Sequence, residues 1–201
     1  MTRFQRFLKR GFDIVFSFSG LLLLFWLILV AALIAYFDTG MSGFFKQIRV
    51  GRNGRMFKVI KIRSMRNVPS FKTTVTTDRD PRISKIGRFW RKTKIDELPQ
   101  LWNVLIGEMS FVGPRPDVPG FADKLVGEDR QILLLRPGIT GPASIRYRNE
   151  EQILASQADP ERYNSEVIWP DKVRINLAYM NNYSLVTDVR LILETFFGFR
   201  K

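Results

Sequence analysis

Three kinds of hydrophobic pattern run along these 201 residues. The first is an unbroken apolar stretch, Ile14 to Phe37, relieved only by Ser17, Ser19 and Gly20. As a helix it is about 36 Å long, enough to cross a bilayer. The second is helical spacing. Leu98, Leu101, Trp102 and Leu105 fall at i, i+3, i+4 and i+7, and Ile83, Ile86, Phe89 and Trp90 make a similar stripe within 81–94. Further helices are predicted over 121–135, in part over 150–169, over 171–180, and over 185–199 with Val189, Ile192, Leu193, Phe196 and Phe197 on one side. This last helix reads either as core or as a helix lying on a membrane. The third pattern is partial alternation in 44–50 and 56–62. Gly51-Arg52-Asn53-Gly54 between them is a turn signal, so a β-hairpin is predicted. Residues 66–80 are polar and rich in threonine, and read as a mobile loop, a candidate lid.

These elements predict an α+β fold: a mostly helical, membrane-associated domain with one small hairpin and surface-lying amphipathic helices. The expected division is an N-terminal anchor over 1–40 and a second domain over 41–201. The anchor does not read as a cleaved signal, because its apolar run is too long and Asp38-Thr39-Gly40 is a poor cleavage site. Arg3, Arg6, Lys9 and Arg10 precede it, interleaved with Phe4, Phe7, Leu8 and Phe12, as in a basic amphipathic stretch at an anionic surface. Lys46, Arg49, Arg52, Arg55, Lys58, Lys61, Arg63 and Arg66 follow it with no acid among them. Positive charge favours the cytoplasmic side, and here it stands on both sides. Either the helix spans with its N-terminus outside, or it bends near Ser17, Ser19 and Gly20 and returns to the same side.

Net charge is +13, from 32 Lys and Arg against 19 Asp and Glu, which calls for an anionic partner. Without histidine or cysteine there is no Cys or Ser-His nucleophile, and zinc and iron–sulfur chemistry lose their usual ligands. What remains is carboxylate, amine, guanidinium and hydroxyl chemistry, with a hard cation such as Mg²⁺ as its natural helper.

The stretch IDELPQLWNVLIGEMSFVGPRP, 95–116, concentrates such groups. Asp96 and Glu97 precede the helical stripe. Asp96 is placed as an N-cap, where the helix dipole keeps it ionised, and Pro99 distorts the turn so that both acids are able to face one site. Gly107 reads as the helix stop, and Gly113-Pro114-Arg115-Pro116 as a stiff loop presenting one guanidinium. Paired acids and a fixed arginine suit a metal-bound phosphate. Spacing alone does not separate this reading from ordinary capping. Arg136-Pro137-Gly138-Ile139-Thr140-Gly141-Pro142 is a second stiff turn. Arg146-Tyr147-Arg148 is either a solvated patch or a phosphate- or base-binding one.

Together, Lys9-Arg10 before the apolar segment, FFKQIRVGRNGRMFKVIKIRSM, DPRISKIGRFWRKTKIDELPQLWNVLIGEMSFVGPRP and RPGITGP resemble the bacterial sugar transferases called small monotopic phosphoglycosyl transferases. The resemblance covers nearly the whole chain. It implies a UDP-sugar donor, a polyprenyl (undecaprenyl) phosphate acceptor, Mg²⁺, and a re-entrant membrane helix-hairpin with both ends in the cytoplasm. It places the protein at the bacterial inner membrane, catalysing the first membrane step of glycoconjugate synthesis. By that resemblance Asp96 is nucleophile and metal-linked carboxylate, Glu97 its partner acid, and Arg115 the phosphate-holding arginine. Arg49, Lys61, Arg63, Arg88, Arg136, Arg146 and Arg148 are further phosphate candidates. Glu97 either positions Mg²⁺ or accepts a proton. Three positions depart from the family pattern: Phe25-Trp26 stand where Ser-Pro is frequent, Asn176 where an acid is frequent, and Pro142-Ala143-Ser144-Ile145 where Ala-Gln-Val-Asn is usual.

The expected reaction moves a sugar-1-phosphate through a covalent aspartyl intermediate, with the lipid bilayer as partner and no nucleic acid. Monomer and homodimer both stay open. One alternative is a membrane-anchored polyanion- or nucleic-acid-binding protein, marked by steep salt dependence and indifference to Mg²⁺. A non-catalytic membrane scaffold is the other.

Overall fold

The structure is a computed structural model that describes residues 1–68 and 80–198. It is mostly helical, with two two-stranded sheets. Helix α1 (Arg3–Thr39) runs unbroken for 37 residues, about 55 Å. It opens on a capping box: Thr2 Oγ1 accepts from the Gln5 N–H, and Gln5 Oε1 accepts from the Thr2 N–H. It stops at Gly40, whose φ of 67° is the left-handed cap glycine adopts most readily. The helix is continuous through Ser17, Ser19 and Gly20. Ser17 Oγ donates back to the Asp13 carbonyl within it at 2.5 Å, a kind of bond that often accompanies a bend.

One face of α1 is buried from end to end. Lys9, Asp13, Ser17, Ile28, Ala31, Ala32 and Ala35 recur at helical spacing and lie against the rest of the chain. The small residues allow close approach: a Cβ on Gly43 would collide with the Ala32 backbone. The opposite face stays apolar and uncovered, with Phe7 and Phe37 each 74% and Leu23 70% exposed. A helix long and apolar enough to cross a membrane is thus also packed lengthwise along the domain.

Strands β1 (Phe44–Val50) and β2 (Met56–Ile62) form the predicted antiparallel hairpin, from Phe44↔Ile62 to Val50↔Met56. Asn53 at φ 58° and Gly54 at φ 78° make its turn. Helix α2 (Lys85–Thr93) is capped by Ser84, whose Oγ accepts from the Gly87 N–H. Trp90 of α2 packs with Ile62 and the alanines of α1, while Phe89 faces out.

Helix α3 (Gln100–Ile106) lies beside the outer edge of β2. Its expected stripe is only partly inward: Leu101 is buried but Trp102 is half-exposed. The buried face instead includes a polar residue, Asn103. Its Oδ1 accepts from the Ile60 N–H at 3.1 Å, and its Nδ2 donates to the Lys58 carbonyl at 2.9 Å and to Glu108 at 2.7 Å. One side-chain amide therefore supplies the strand edge with the bonds a third strand would make.

Strands β3 (Ser110–Val112) and β4 (Gly138–Thr140) pair in parallel, an element the hydrophobic pattern did not predict. The helix expected over 121–135 does not form. Two short 3₁₀ turns, Ala122–Lys124 and Asp129–Leu134, stand there instead, separated by Gly127 at φ 57°. Next come α4 (Pro142–Arg146), α5 (Glu150–Ala155), α6 (Pro160–Tyr163), a π-helical turn at Asn164–Ile168, and α7 (Trp169–Asn181). The chain closes on α8 (Leu185–Phe197). Its Asp188 and Leu191 face inward, whereas Val186, Phe196 and Phe197 are exposed. Of the candidate lid over 66–80, residues 69–79 lie outside the described residues.

Asn103→Ala should strand the Ile60 N–H and Lys58 carbonyl. We expect a loss of about 2–4 kcal/mol, read as a lower Tm of the detergent-solubilised protein. An unchanged Tm would contradict the clamp.

Candidate active site

Asp96 and Glu97 sit on a 3₁₀ turn, Ile95–Glu97, ahead of α3 rather than on it. Lys94, at φ 60°, closes α2 in the left-handed conformation and starts this turn. Asp96 is therefore not the N-cap expected of it; it caps no backbone N–H. The residue is 7% exposed; its carboxyl makes no hydrogen bond among the described residues, and its Oδ1 is buried.

Its neighbour is placed differently. Glu97 Oε1 meets Lys61 Nζ of β2 at 2.9 Å. The two acids accordingly part in acidity. Burial, then the Glu97 charge, push Asp96 up to about 6, against the pull of Lys61. Burial pushes Glu97 up as well, but Lys61, Arg115 and Lys94 outweigh it and hold the carboxyl at about 2. Desolvation thus raises Asp96 above the usual carboxylate range, where the expected cap and helix dipole would have lowered it.

The loop 113–116 is rigid for a visible reason. Gly113 N–H donates to the Thr140 carbonyl at 2.9 Å and Gly138 N–H to the Pro114 carbonyl at 2.8 Å. Backbones here touch so closely that a Cβ on Gly113 would collide with the Arg136 carbonyl, and one on Gly138 with Gly113. Arg49 Nη1 adds a bond to the Pro116 carbonyl at 3.1 Å. The Arg115 guanidinium emerges exposed, with no hydrogen bond among the described residues. Beside it, Asp117 is pushed up to about 6 by burial, although Lys172, Arg115 and Arg49 pull it down.

Glu97, Arg115 and Asp117 line a groove of about 1070 Å³. Lys94, Lys172, Asn176, Tyr147 and Arg148 add polar groups to its wall. Phe12, Phe16, Gly20 and Leu24 of α1, Leu98, Leu101, Phe111, and Ile192 and Phe196 of α8 add apolar ones. Asp96 does not itself line the groove, though Glu97, next in the chain, does. Such a cleft is able to take a molecule with a charged head and a hydrocarbon tail.

The bacterial sugar transferase family profile matches residues 4–201. The chain belongs to this family. Among its relatives is exopolysaccharide production protein PSS of Rhizobium leguminosarum bv. phaseoli, 40% identical over 94% of this chain and 92% of the relative. Another is the UDP-glucose:undecaprenyl-phosphate glucose-1-phosphate transferase of Escherichia coli K12, 34% identical over 96% of this chain. A third is the UDP-galactose-lipid carrier transferase of Erwinia amylovora, 35% identical over 95% of this chain. Each of these last two is matched over only 40% of its own length.

In this sugar transferase the candidate residues divide. Asp96, Glu97, Lys61, Arg115 and Arg49 come together through mutual charge interactions, and Arg148 stands elsewhere along the groove, bonded to the Glu194 carbonyl. Four others are placed elsewhere. Arg63 donates to the Ser42 and Phe44 carbonyls and lies over the Phe45 ring. Arg136 donates to the Gly107 carbonyl, closing the C-terminus of α3. Arg88 and Arg146 are exposed outside the groove lining. None of these four lines the groove.

Asp117 and Lys172 are not site candidates by sequence, whereas Tyr147 is one, within the Arg146-Tyr147-Arg148 patch. Asp117 had one readable signal, its position directly after Pro-Arg-Pro. Lys172 pairs with Glu150 at 2.6 Å, and Tyr147 donates to Asp171 at 2.7 Å, contacts that only the tertiary fold creates.

Because Lys61 lowers both acids, Lys61→Met should raise the midpoint of the Asp96 carboxyl from about 6. Carboxyl-carbon NMR of metal-free protein in detergent measures it; a fall on removing the ammonium would contradict the assignment.

Proposed function

We propose that this chain is a phosphoglycosyl transferase that moves a sugar-1-phosphate from a UDP-sugar to polyprenyl phosphate. The observation that carries the reading is the groove itself. An exposed guanidinium, Arg115, and an acid, Glu97, line a cleft walled partly by the apolar side chains of α1 and α8, and the buried Asp96, its pKa raised by desolvation, is next to Glu97 in the chain. Family membership supports it, as do the activities for which the Escherichia coli and Erwinia relatives are named.

The chemistry follows in two displacements. An Asp96 carboxylate oxygen bonds to the sugar-bearing β-phosphorus of the donor, and the bond from that phosphorus to the UMP oxygen breaks, UMP leaving with the electron pair. A phosphate oxygen of the lipid acceptor then bonds to the same phosphorus. The aspartyl–phosphorus bond breaks and the carboxylate returns. The attacking groups are anions, so no strong base is required, in keeping with a chain that lacks histidine. Arg115 meets the negative charge that builds on the phosphoryl oxygens. Lys61 keeps Glu97 ionised and so keeps one acid distinct from the other.

Asp96, with its unpartnered buried oxygen, fits as a ligand for Mg²⁺, and Glu97 stands next to it. No cluster of three acidic side chains exists among the described residues, so substrate phosphate oxygens would complete the shell, the usual arrangement for this ion. When bound, it would neutralise charge on the transferring phosphoryl group.

A soluble donor and a lipid acceptor meet only at a membrane surface. The uncovered faces of α1, α2 and α8, including Phe7, Leu23, Phe89 and Phe196, suit burial in lipid. Positive charge on both flanks favours a helix whose two ends stay on the cytoplasmic side of the inner membrane.

UMP release from a panel of UDP-sugars, with and without polyprenyl phosphate, tests the activity. Asp96→Asn should retain Tm and membrane binding but lose at least about a thousandfold in rate. Arg115→Ala should lose about a hundredfold. Full activity in either variant would remove that residue from the mechanism.

A further inference from the structure

The first turns of α1 carry charges that a membrane-surface role leaves unexplained. Lys9 and Asp13 are buried, Asp13 completely. Lys9 Nζ pairs with Asp188 of α8, which also accepts from Tyr179 Oη. Asp13 Oδ1 accepts two bonds from β3: Ser110 Oγ at 3.0 Å and the Phe111 N–H at 3.1 Å. Strand β3 leads within three residues into the loop that carries Arg115. Three residues earlier on α1, Arg10 donates to the Val104 and Leu105 carbonyls at 2.6 and 2.7 Å. These carbonyls lie in the last turn of α3, the helix that follows the acid turn, and Val104 also accepts from the Gly107 N–H.

One helical turn therefore grips both halves of the site. Arg10 holds the element behind Asp96 and Glu97, and Asp13 holds the strand in front of Arg115. We infer that Asp13 is a positioning residue, which acts through β3 to set the Arg115 guanidinium against the acid pair. The inference rests on the transferase reading above. Burying a carboxylate on a helix whose other face is hydrocarbon is costly, and a partner for the strand's amide and hydroxyl is what the fold obtains from it. Asp188 stands close enough to repel Asp13, with Lys9 between them and Arg136 nearby, so a neutral acceptor at 13 relieves that repulsion while keeping both bonds. The hydrogen bonds, not the charge, do the positioning.

The test is a double-mutant cycle on UMP release from a UDP-sugar that the wild-type protein uses. If wild type releases no UMP with any donor, the transferase reading fails and the cycle is not the cause. With an active wild type, Asp13→Ala should lower kcat at least tenfold, while Asp13→Asn should stay within about threefold because its Oδ1 accepts the same bonds. In an Arg115→Ala background, Asp13→Ala should cost no further rate. Ser110→Ala, which removes one of the two bonds without touching α1, should lower kcat in the same non-additive way and serves if Asp13→Ala does not fold. Tm losses should add across the cycle even where rate losses do not. Rate losses that multiply in the double variant, or an Asp13→Asn as slow as Asp13→Ala, would overturn the inference.

Discussion

Neighbouring carboxylates repel, and desolvation magnifies the repulsion. Here Lys61 does most to resolve it, with Arg115 and Lys94 behind it. Lys61, on the strand beneath the acid turn, lies 2.9 Å from Glu97 and only at longer range from Asp96. Glu97 is held ionised while Asp96, its charge opposed by burial and by Glu97, rises to about 6. Two chemically similar groups thus acquire different characters through position alone, the general route by which one site acquires groups of different acidity. A buried carboxylate that is still ionised near neutrality, with no hydrogen bond to stabilise it, is also a more willing nucleophile than a solvated one.

That arrangement depends on where β2 is held, and β2 is held by an amide. Asn103 satisfies the strand's outer edge and so fixes Lys61 relative to the turn that opens α3. The opposing side of the site depends on small residues. Gly113 and Gly138 bring two loop backbones together, and the prolines around Arg115 leave its backbone few alternatives. The Arg115 guanidinium makes no hydrogen bond among the described residues, whereas other arginines are bonded to carbonyls: Arg49 to Pro116, Arg136 to Gly107. The +13 charge is therefore not spread evenly as a general anion attractor; a good share of it braces backbone.

Local chemistry was legible in the chain, and long-range chemistry was not. The hairpin could be read because Asn53-Gly54 dictates its own turn. The long helix could be read because no charge interrupts it, and Gly107 announced the end of α3. The parallel pair β3–β4 could not, since each strand is three residues long and too short to show a period. The helix expected over 121–135 failed because its apolar residues, Ile132 and Leu133 among them, pack from 3₁₀ turns divided by Gly127. At the site, the acids and Arg115 stood out as motifs. The placement of Asp96 as a cap did not survive, because the left-handed Lys94 inserts a separate turn. Asp13 hid within an apolar helix, where its two partners are almost a hundred residues away along the chain.

The claim that matters most is that Asp96 becomes esterified to a sugar's phosphate. Detergent-solubilised protein mixed with a UDP-sugar it turns over, without lipid acceptor, and acid-quenched within milliseconds to seconds should yield a peptide spanning Asp96 that is heavier by one phosphosugar. Addition of polyprenyl phosphate before quenching should discharge it. Turnover of donor and acceptor with no adduct on that peptide at any time, or an adduct on a different residue, would contradict the account.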